Sequence, residues 1–177
     1  MPLFAYEDQS LKRNVKSVNS EESQTQVMKS KFTYPVKEYR VIDGDSVKVT
    51  LDMGFSTFHS VIARLHGVDT PELRRRAQKS AGLVSKEFTE NWFSDRWGSK
   101  KDHTVMFECI ARDKYAGRVT GDFFVVIPNG SEGVRRFGQT LSNFLKVKQV
   151  ARVYYGGKKK DWTKKELKRI LDLKSKP

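Results

Sequence analysis

Apolar residues in the middle of the chain change their spacing several times, and this change of period restricts the fold more than any other feature of the sequence. Alternation typical of strands flanks the Asp43-Gly44 turn and returns over Phe58 to Leu65. The connections between these early segments are too short for the crossovers that a parallel sheet requires. The first three strands are therefore predicted to be antiparallel neighbours.

A row of apolar residues at helical spacing follows the third predicted strand. Steps of three or four residues place five side chains on one face of an amphipathic helix. They are Ala77, Ala81, Val84, Phe88 and Trp92. Segments 105–110 and 119–127 are rich in β-branched and aromatic residues and predict two further strands, the second ended by Pro128-Asn129-Gly130.

Two more helices are predicted near the end of the chain. The first is indicated by a group of apolar residues, Phe137, Leu141, Phe144 and Leu145. The second follows the break at Gly156-Gly157 and is predicted to have Asp161 as its N-cap. Its predicted inner face consists of Trp162, Leu167, Ile170 and Leu171.

The predicted order of elements is β-β-β-α-β-β-α-α. Five short antiparallel strands interrupted by a helix suit a small closed barrel. The predicted fold class is α+β, mainly β: a five-stranded OB-fold barrel with three helices. Residues 1–32 are assigned to a flexible polar N-terminal tail, 33–155 to the barrel domain, and 156–177 to a basic C-terminal helix packed on the same domain.

The charge of the chain is strongly unbalanced. It has 34 Lys and Arg against 21 Asp and Glu, a formal net charge of +13. Such a surplus favours a polyanionic partner, and nucleic acid is expected. A solvated basic face that only aids solubility is the alternative.

The sequence offers no membrane segment and no cysteine-based site. No apolar run approaches the ~18 residues of a membrane span, and charges interrupt the first 20 residues where a secretory signal would be apolar. An intracellular, cytoplasmic location without a membrane partner is expected. Cys109 is the only cysteine, which excludes an internal disulfide and a cysteine-rich zinc site.

Three carboxylates and two arginines fall at the ends of predicted strands. Asp45, Asp69 and Glu72 would repel one another unless a cation joined them, and their oxygens suit a hard divalent ion such as Ca²⁺ or Mg²⁺. The guanidinium groups of Arg64 and Arg118 suit a phosphate. Each motif alone also fits an ordinary polar turn. Together they indicate a phosphodiester site.

The same motifs resemble those of the staphylococcal nuclease family, also called thermonuclease-like domains. The matching segments are Val41 to Val47, Ala63 to Glu72 and Asp113 to Arg118, with a weaker match over Leu141 to Tyr155. Their order and approximate spacing agree over roughly 33–175. The resemblance implies the OB-fold barrel with three helices that the pattern also predicts. Ala116 is one residue more than the family pattern has at that place.

The resemblance also implies a role for each matching residue. Asp45 and Asp69 would bind Ca²⁺ through their side chains and Thr70 through its backbone carbonyl, with Asp43 close to the metal without ligating it. Two groups would act on the substrate itself. Glu72 would position or deprotonate the attacking water, and Arg64 and Arg118 would bind the scissile phosphate.

Further residues are predicted to contact substrate. The resemblance places Lys114 and Tyr115 near a terminal phosphate of a bound nucleotide. Arg74, Arg75 and Arg76 follow Glu72 directly and would attract a polyanion. Exposed aromatic residues in the region 154–162 would stack on unpaired bases, unless they belong to the core. They are Tyr154, Tyr155 and Trp162.

The predicted function is that of a Ca²⁺-dependent nuclease that hydrolyses DNA, and RNA as a further candidate substrate, with little sequence specificity. By the resemblance, it would leave 3′-phosphate ends. Mg²⁺ and Mn²⁺ are alternative ions. The alternative function is a non-catalytic nucleic-acid-binding or scaffold module with the same fold. A monomer is expected, and the N-terminal tail is a candidate segment for recruiting a protein partner.

Overall fold

The computed structural model describes residues 32–97, 103–112, 117–129, 131 and 133–174. Within these residues the chain forms eight strands and three helices. In chain order they are β1 (Phe32–Asp43), β2 (Ser46–Asp52), β3 (Phe58–Leu65), β4 (Val68–Asp69), α1 (Lys79–Ser94), β5 (Thr104–Arg112), β6 (Arg118–Pro128), β7 (Val134–Phe137), α2 (Leu141–Val147), β8 (Arg152–Val153) and α3 (Lys164–Lys174).

Five of the strands close into a barrel. The order β3-β2-β1-β5-β6 runs through antiparallel pairs, and a parallel pairing of β3 with β6 closes the ring. The predicted fold class is confirmed: the protein is an OB-fold-like α+β protein, mainly β, with a closed barrel and three helices. The prediction that all five strands are antiparallel is wrong, because an odd number of strands cannot alternate in direction around a closed ring.

The core fills the barrel and continues beneath α1. Val47 and Val49 of β2 and Phe107 of β5 are buried inside it. Phe93 of α1 stacks on Tyr39 of β1, with 4.3 Å between the ring centroids. Burial of these aromatic rings fixes the helix against the barrel, because each ring removes a large apolar area from water. The turn between β1 and β2 also packs on α1, where Thr89 Oγ1 donates a hydrogen bond to the Gly44 carbonyl at 2.7 Å.

The helices begin later than the apolar spacing predicted. Ala77 lies before α1 and is exposed, whereas Ala81, Val84 and Trp92 are buried as expected. Phe137 belongs to β7, which pairs with β6, and not to the helix that begins at Leu141. The sequence pattern does not distinguish an apolar residue that ends a strand from one that begins a helix.

The last helix has a different cap and a narrower apolar face than predicted. It begins at Lys164, and its cap is Thr163, whose hydroxyl and amide both bond to the Glu166 carboxylate. Asp161 pairs instead with Arg75. Ile170 is buried, but Leu171 is 38% exposed. Packing of α3 against α1 therefore uses fewer apolar side chains than the sequence pattern offered.

A two-stranded sheet pairs β4 with β8 and sets Asp69 opposite Arg152. Residue 32 begins β1, while the rest of the predicted N-terminal tail lies outside the described residues. Among the helices of the described ranges, none has the length and apolar character needed to cross a membrane.

Candidate functional site

An open cavity of about 720 Å³ lies where the β1–β2 turn, the end of β3, the start of β6 and the segment after β8 meet. Seven of the residues predicted from the sequence line it. They are Asp43, Asp45, Arg64, Glu72, Arg118, Tyr154 and Tyr155. Barrel closure is what brings them together, because the parallel pair β3–β6 sets Arg118 beside Ile62, two residues before Arg64.

Asp45 is held by the turn between β1 and β2. Its Oδ2 accepts a hydrogen bond from the Thr70 amide at 2.9 Å, and its own amide donates to Asp43 Oδ1 at 3.2 Å. The turn fits closely over α1 only because residue 44 is glycine. A Cβ there would lie 2.8 Å from Ser85 Cβ and 2.9 Å from the Thr70 side chain.

Arg64 joins the two buried carboxylates. Its guanidinium forms an ion pair with Asp45, and its Nη2 lies 3.7 Å from Asp69 Oδ1. Hydrogen bonds to the carbonyls of Asp45 and Val68, at 3.3 and 3.2 Å, fix its orientation. Burial lowers the pKa of Arg64, but the attraction of Asp45 and Asp69 outweighs burial and the net pKa is raised. Arg64 is therefore charged at all ordinary pH values.

Burial dominates the ionisation of Asp45. Burial raises the pKa of Asp45 to about 6, although the neighbouring Arg64 lowers it. Repulsion from Asp43 adds to the increase. At neutral pH the Asp45 carboxyl is still mostly ionised, so it is available as an anionic ligand or ion-pair partner.

Asp69 is almost completely buried, at 1% exposure. Its Oδ2 accepts a hydrogen bond from Arg152 Nε at 3.0 Å, and Lys159 Nζ lies 2.6 Å from its Oδ1. That contact lacks hydrogen-bond geometry, and Oδ1 accepts no hydrogen bond from the described residues. Asp69 and Thr70 are not among the residues that line the cavity.

Glu72 is half-exposed at the edge of the cavity. Its backbone amide donates to Gln78 Oε1 at 2.9 Å, which fixes the chain just before α1. Its carboxylate accepts a hydrogen bond from Lys159 Nζ at 2.7 Å. Burial lowers the pKa of Lys159, but the attraction of the Asp69 and Glu72 carboxylates outweighs burial, so the net pKa is raised.

Two site residues, Arg152 and Lys159, escaped the sequence analysis. Arg152 is a lone charge in the otherwise apolar segment 150–153, and that position is a signal that it pairs with a buried carboxylate. Lys159 lies in the run 158–160, where nothing in the sequence distinguishes it from its two neighbours. From the sequence alone, a run of three lysines indicates only a basic surface.

The other predicted substrate contacts are distributed around the cavity. Arg74, Arg75 and Arg76 are exposed, and Arg75 pairs with Asp161 at 2.7 Å. Tyr155 is 72% exposed beside His66, with ring centroids 5.5 Å apart. Trp162 is a core residue that stacks on Arg152. The predicted contacts Lys114 and Tyr115, and the additional Ala116, lie outside the described residues.

The donor chemistry fits a hard divalent cation. Two buried carboxylates lie within reach of one guanidinium, and Asp69 Oδ1 is a buried acceptor without a hydrogen bond. Three cationic side chains already contact these carboxylates, however. Among the described residues, no group of three or more His, Cys, Asp or Glu side chains is placed to hold a metal ion as the side chains stand. A metal would therefore require a rearrangement of the cations.

The fold defines the protein as an OB-fold-like barrel protein, and the cavity gives it a mixed site of buried acids and arginines. Compared with known proteins, the chain matches no protein-family model and no curated protein. Because one barrel fold supports many unrelated functions, the function has to be argued from the site itself.

Proposed function

We propose that this protein is a Ca²⁺-dependent nuclease that hydrolyses phosphodiester bonds in DNA, and also in RNA. The observation that carries the proposal is the convergence of Asp45, Arg64, Glu72 and Arg118 on one cavity. Two guanidinium groups and two carboxylates around an open cavity match the needs of phosphoryl transfer, where catalysis depends on positioning and on stabilisation of developing negative charge.

Each residue of the site has one role in the proposed reaction. Asp45, Asp69 and the Thr70 carbonyl would hold the metal, and the Asp43 carboxylate supports Asp45 by accepting a hydrogen bond from the Asp45 amide. The bound ion supplies Lewis-acid stabilisation of charge on the phosphate oxygens. Arg118 and Arg64 bind the phosphate, and Glu72 holds the proton of the attacking water. By the resemblance to the staphylococcal nuclease family, the products carry 3′-phosphate ends.

The substrate approaches over a basic surface. Arg74 and Arg76 are exposed and follow Glu72 closely in sequence, and the exposed run of lysines at 158–160 reaches the cavity lining at Lys159. Tyr155 offers an exposed ring on which an unpaired base can stack. Neither feature distinguishes one base from another, so cleavage with little sequence specificity follows.

One observation favours a second candidate, a non-catalytic nucleic-acid-binding module with the same fold. Lys159 contacts both Asp69 and Glu72, so the carboxylate assigned to the attacking water is paired with an ammonium. A binding module would retain the cavity as an anion site formed by Arg64, Arg118 and Lys159.

Digestion of plasmid DNA and of labelled oligonucleotides distinguishes the two functions. The reactions contain Ca²⁺, Mg²⁺, Mn²⁺ or a chelator, and end-group analysis identifies the products. We expect Ca²⁺-dependent cleavage to 3′-phosphate ends, and a loss of about 10²–10⁴ in rate for Glu72→Gln because general-base catalysis contributes that much.

Glu90→Gln is the matched control, because Glu90 is exposed on α1 and pairs only with Lys86 among the contacts described. Its rate should equal that of the unmodified protein. Cleavage that persists in chelator and in Glu72→Gln would contradict the proposed chemistry. Binding of oligonucleotide without cleavage under any ion would identify the binding module.

A further inference from the structure

A single ammonium bridges the two carboxylates assigned to different tasks. Lys159 Nζ lies 2.6 Å from Asp69 Oδ1 and 2.7 Å from Glu72 Oε1. Asp69 is buried and Glu72 is half-exposed, so the ammonium lies between the interior of the site and the open cavity. The ammonium thus occupies the approach from the cavity to Asp69.

The chain holds Lys159 there from both sides. Tyr154 donates its hydroxyl to the Gly157 carbonyl at 2.7 Å, and Arg152 donates to the carbonyls of Lys160 and Asp161. Gly156 and Gly157 have φ values of +108° and +88°, which residues with a side chain rarely adopt. The glycine pair turns the chain after β8 so that residue 159 faces the acids.

The charges of this cluster balance without any added ion. Three carboxylates, Asp45, Asp69 and Glu72, contact three cations, Arg64, Arg152 and Lys159. A divalent cation that joined the cluster unchanged would lie a few ångströms from an ammonium, in a region that is poorly screened because it is partly buried.

The three cations are not held equally. Arg64 and Arg152 are mostly buried and each makes hydrogen bonds to backbone carbonyls as well as to acids. Lys159 has a side chain that is 41% exposed, and its Nζ contacts the two carboxylates and lies 6.0 Å from the centroid of the Tyr154 ring, with no backbone hydrogen bond from the Nζ to the described residues. An ammonium on a flexible stem regains its hydration readily when it leaves.

We propose that Lys159 is a built-in counter-cation that a divalent ion must displace to reach Asp69, and that its departure also frees the Glu72 carboxylate. The inference rests on the proposed function, because it concerns the metal that function requires. It assigns the 156–160 segment a regulatory role: the segment sets the metal concentration at which the site is loaded. Loss of the Lys159 charge leaves Asp69 free to take the divalent ion and Glu72 free to act on water.

Calorimetric titration of Ca²⁺ into the intact chain tests the affinity. We expect Lys159→Met to bind Ca²⁺ about tenfold more tightly or better than the unmodified protein, because the competing charge is gone. Lys158→Met is the matched control, since Lys158 is exposed on the same segment and makes none of the described contacts with the acids. Its affinity should be unchanged.

Amine labelling of the unmodified protein tests the displacement directly. The protein is treated briefly with an acetylating reagent at rising Ca²⁺, and the modified lysines are quantified by mass spectrometry. We expect labelling of Lys159 to rise with Ca²⁺, with a midpoint equal to the calorimetric Kd. Labelling of Lys158 and Lys160 should stay constant. This measurement needs no variant and so remains decisive if Lys159→Met does not fold.

The outcomes separate this inference from the proposed function. Tighter Ca²⁺ binding by Lys159→Met together with Ca²⁺-dependent labelling supports the counter-cation even if no nucleic acid is cleaved. Equal Ca²⁺ affinities, weaker binding by Lys159→Met, or no Ca²⁺ binding by either protein overturns it. If equal affinities occur in a protein that cleaves DNA with Ca²⁺, the inference fails and the nuclease stands.

Discussion

Arg64 is the residue on which the buried part of the site depends. It contacts both Asp45 and Asp69, and its hydrogen bonds to backbone carbonyls leave it little freedom to move. A charge buried with its partners gives little net stability, but removal of one partner leaves the others uncompensated. Arg64 therefore matters to folding as well as to any phosphate that enters the cavity.

We expect Arg64→Met to lower the free energy of unfolding by about 3–5 kcal/mol at neutral pH, because Asp45 and Asp69 lose a shared counter-charge. Urea denaturation measures the change. Arg40→Met on β1 is the control, since Arg40 is exposed and should cost little. The double variant Arg64→Met with Asp45→Asn should recover part of the loss. A double variant no more stable than Arg64→Met would contradict this account of the pair.

At the scale of single elements, α3 shows how a short polar motif sets a helix start. Thr163 and Glu166 exchange hydrogen bonds between side chain and backbone, the arrangement called a capping box. These bonds lower the pKa of Glu166, because the carboxylate form accepts them. The same three-residue spacing from Thr163 to Glu166 is readable in the sequence, although the sequence analysis assigned the cap to Asp161.

We expect Thr163→Ala to cost about 1 kcal/mol of stability at neutral pH through the loss of the cap.

The pKa of Glu166 is lower in the folded than in the unfolded chain. The contribution of Glu166 to stability therefore exists above the unfolded value of 4.5 and is lost as pH falls through the folded pKa. The cost of Glu166→Gln should shrink accordingly between neutral and strongly acidic pH.

Denaturation curves at several pH values measure both variants. Asp172→Asn provides the control, because Asp172 is an exposed carboxylate on the same helix. Its effect should remain small at each pH. A cost of Glu166→Gln that grows as the solution is acidified would show that the carboxylate is not held in its charged form by the cap.

Local features of the fold were predictable, and features that join distant segments were not. The β1–β2 turn at Asp43-Gly44 and the end of β6 at Pro128 followed from turn residues and alternation. The parallel pair β3–β6 has no local signature, because it depends on how the sheet closes.

The site divides in the same way. Asp45, Glu72 and Arg118 were selected by residue type and motif, and they line one cavity. Arg152 and Lys159 act on acids 83 and 87 residues away in sequence, a distance over which one sequence gives no pairing information. Sequence chemistry identified the acids and arginines of the cavity, while the cations that balance the acids became visible only with the fold.

At the scale of the whole molecule, the chain has a positive surplus that its cavity does not share. The chain carries a formal net charge of +13, whereas the cavity lining combines Asp43, Asp45 and Glu72 with Arg64, Arg118 and Lys159. Under the proposed function, charges outside the cavity would attract a polyanion, and groups inside it would act on one phosphate. Binding strength and chemistry should be separable by mutation.

We expect simultaneous replacement of Arg74, Arg75 and Arg76 by alanine to reduce the salt dependence of oligonucleotide binding. Each lost phosphate contact changes the slope of log K against log salt by roughly 0.7–0.9, so the triple variant should lose about 2. Fluorescence anisotropy across a salt series measures the slope. Replacement of Lys37, Arg40 and Lys48, which are exposed on β1 and β2 away from the cavity lining, is the control.

The control variant should reduce the slope of log K against log salt less than the Arg74–Arg76 variant does, although both variants remove the same net charge. Equal losses would mean that binding depends on total charge alone and that no basic path leads to the cavity. Unfolding measurements on both variants establish that the comparison is between folded proteins.

The antiparallel pairing of β4 with β8 has a consequence for synthesis on the ribosome. Asp45 and Asp69 emerge early, whereas Arg152 and Lys159 leave the exit tunnel only after nearly all of the barrel has been made. Until then Asp69 lacks two of its cations, and burial of its carboxylate away from water is unfavourable. The nascent chain thus acquires two of the counter-charges of Asp69 only after the strands that frame the pocket have been made.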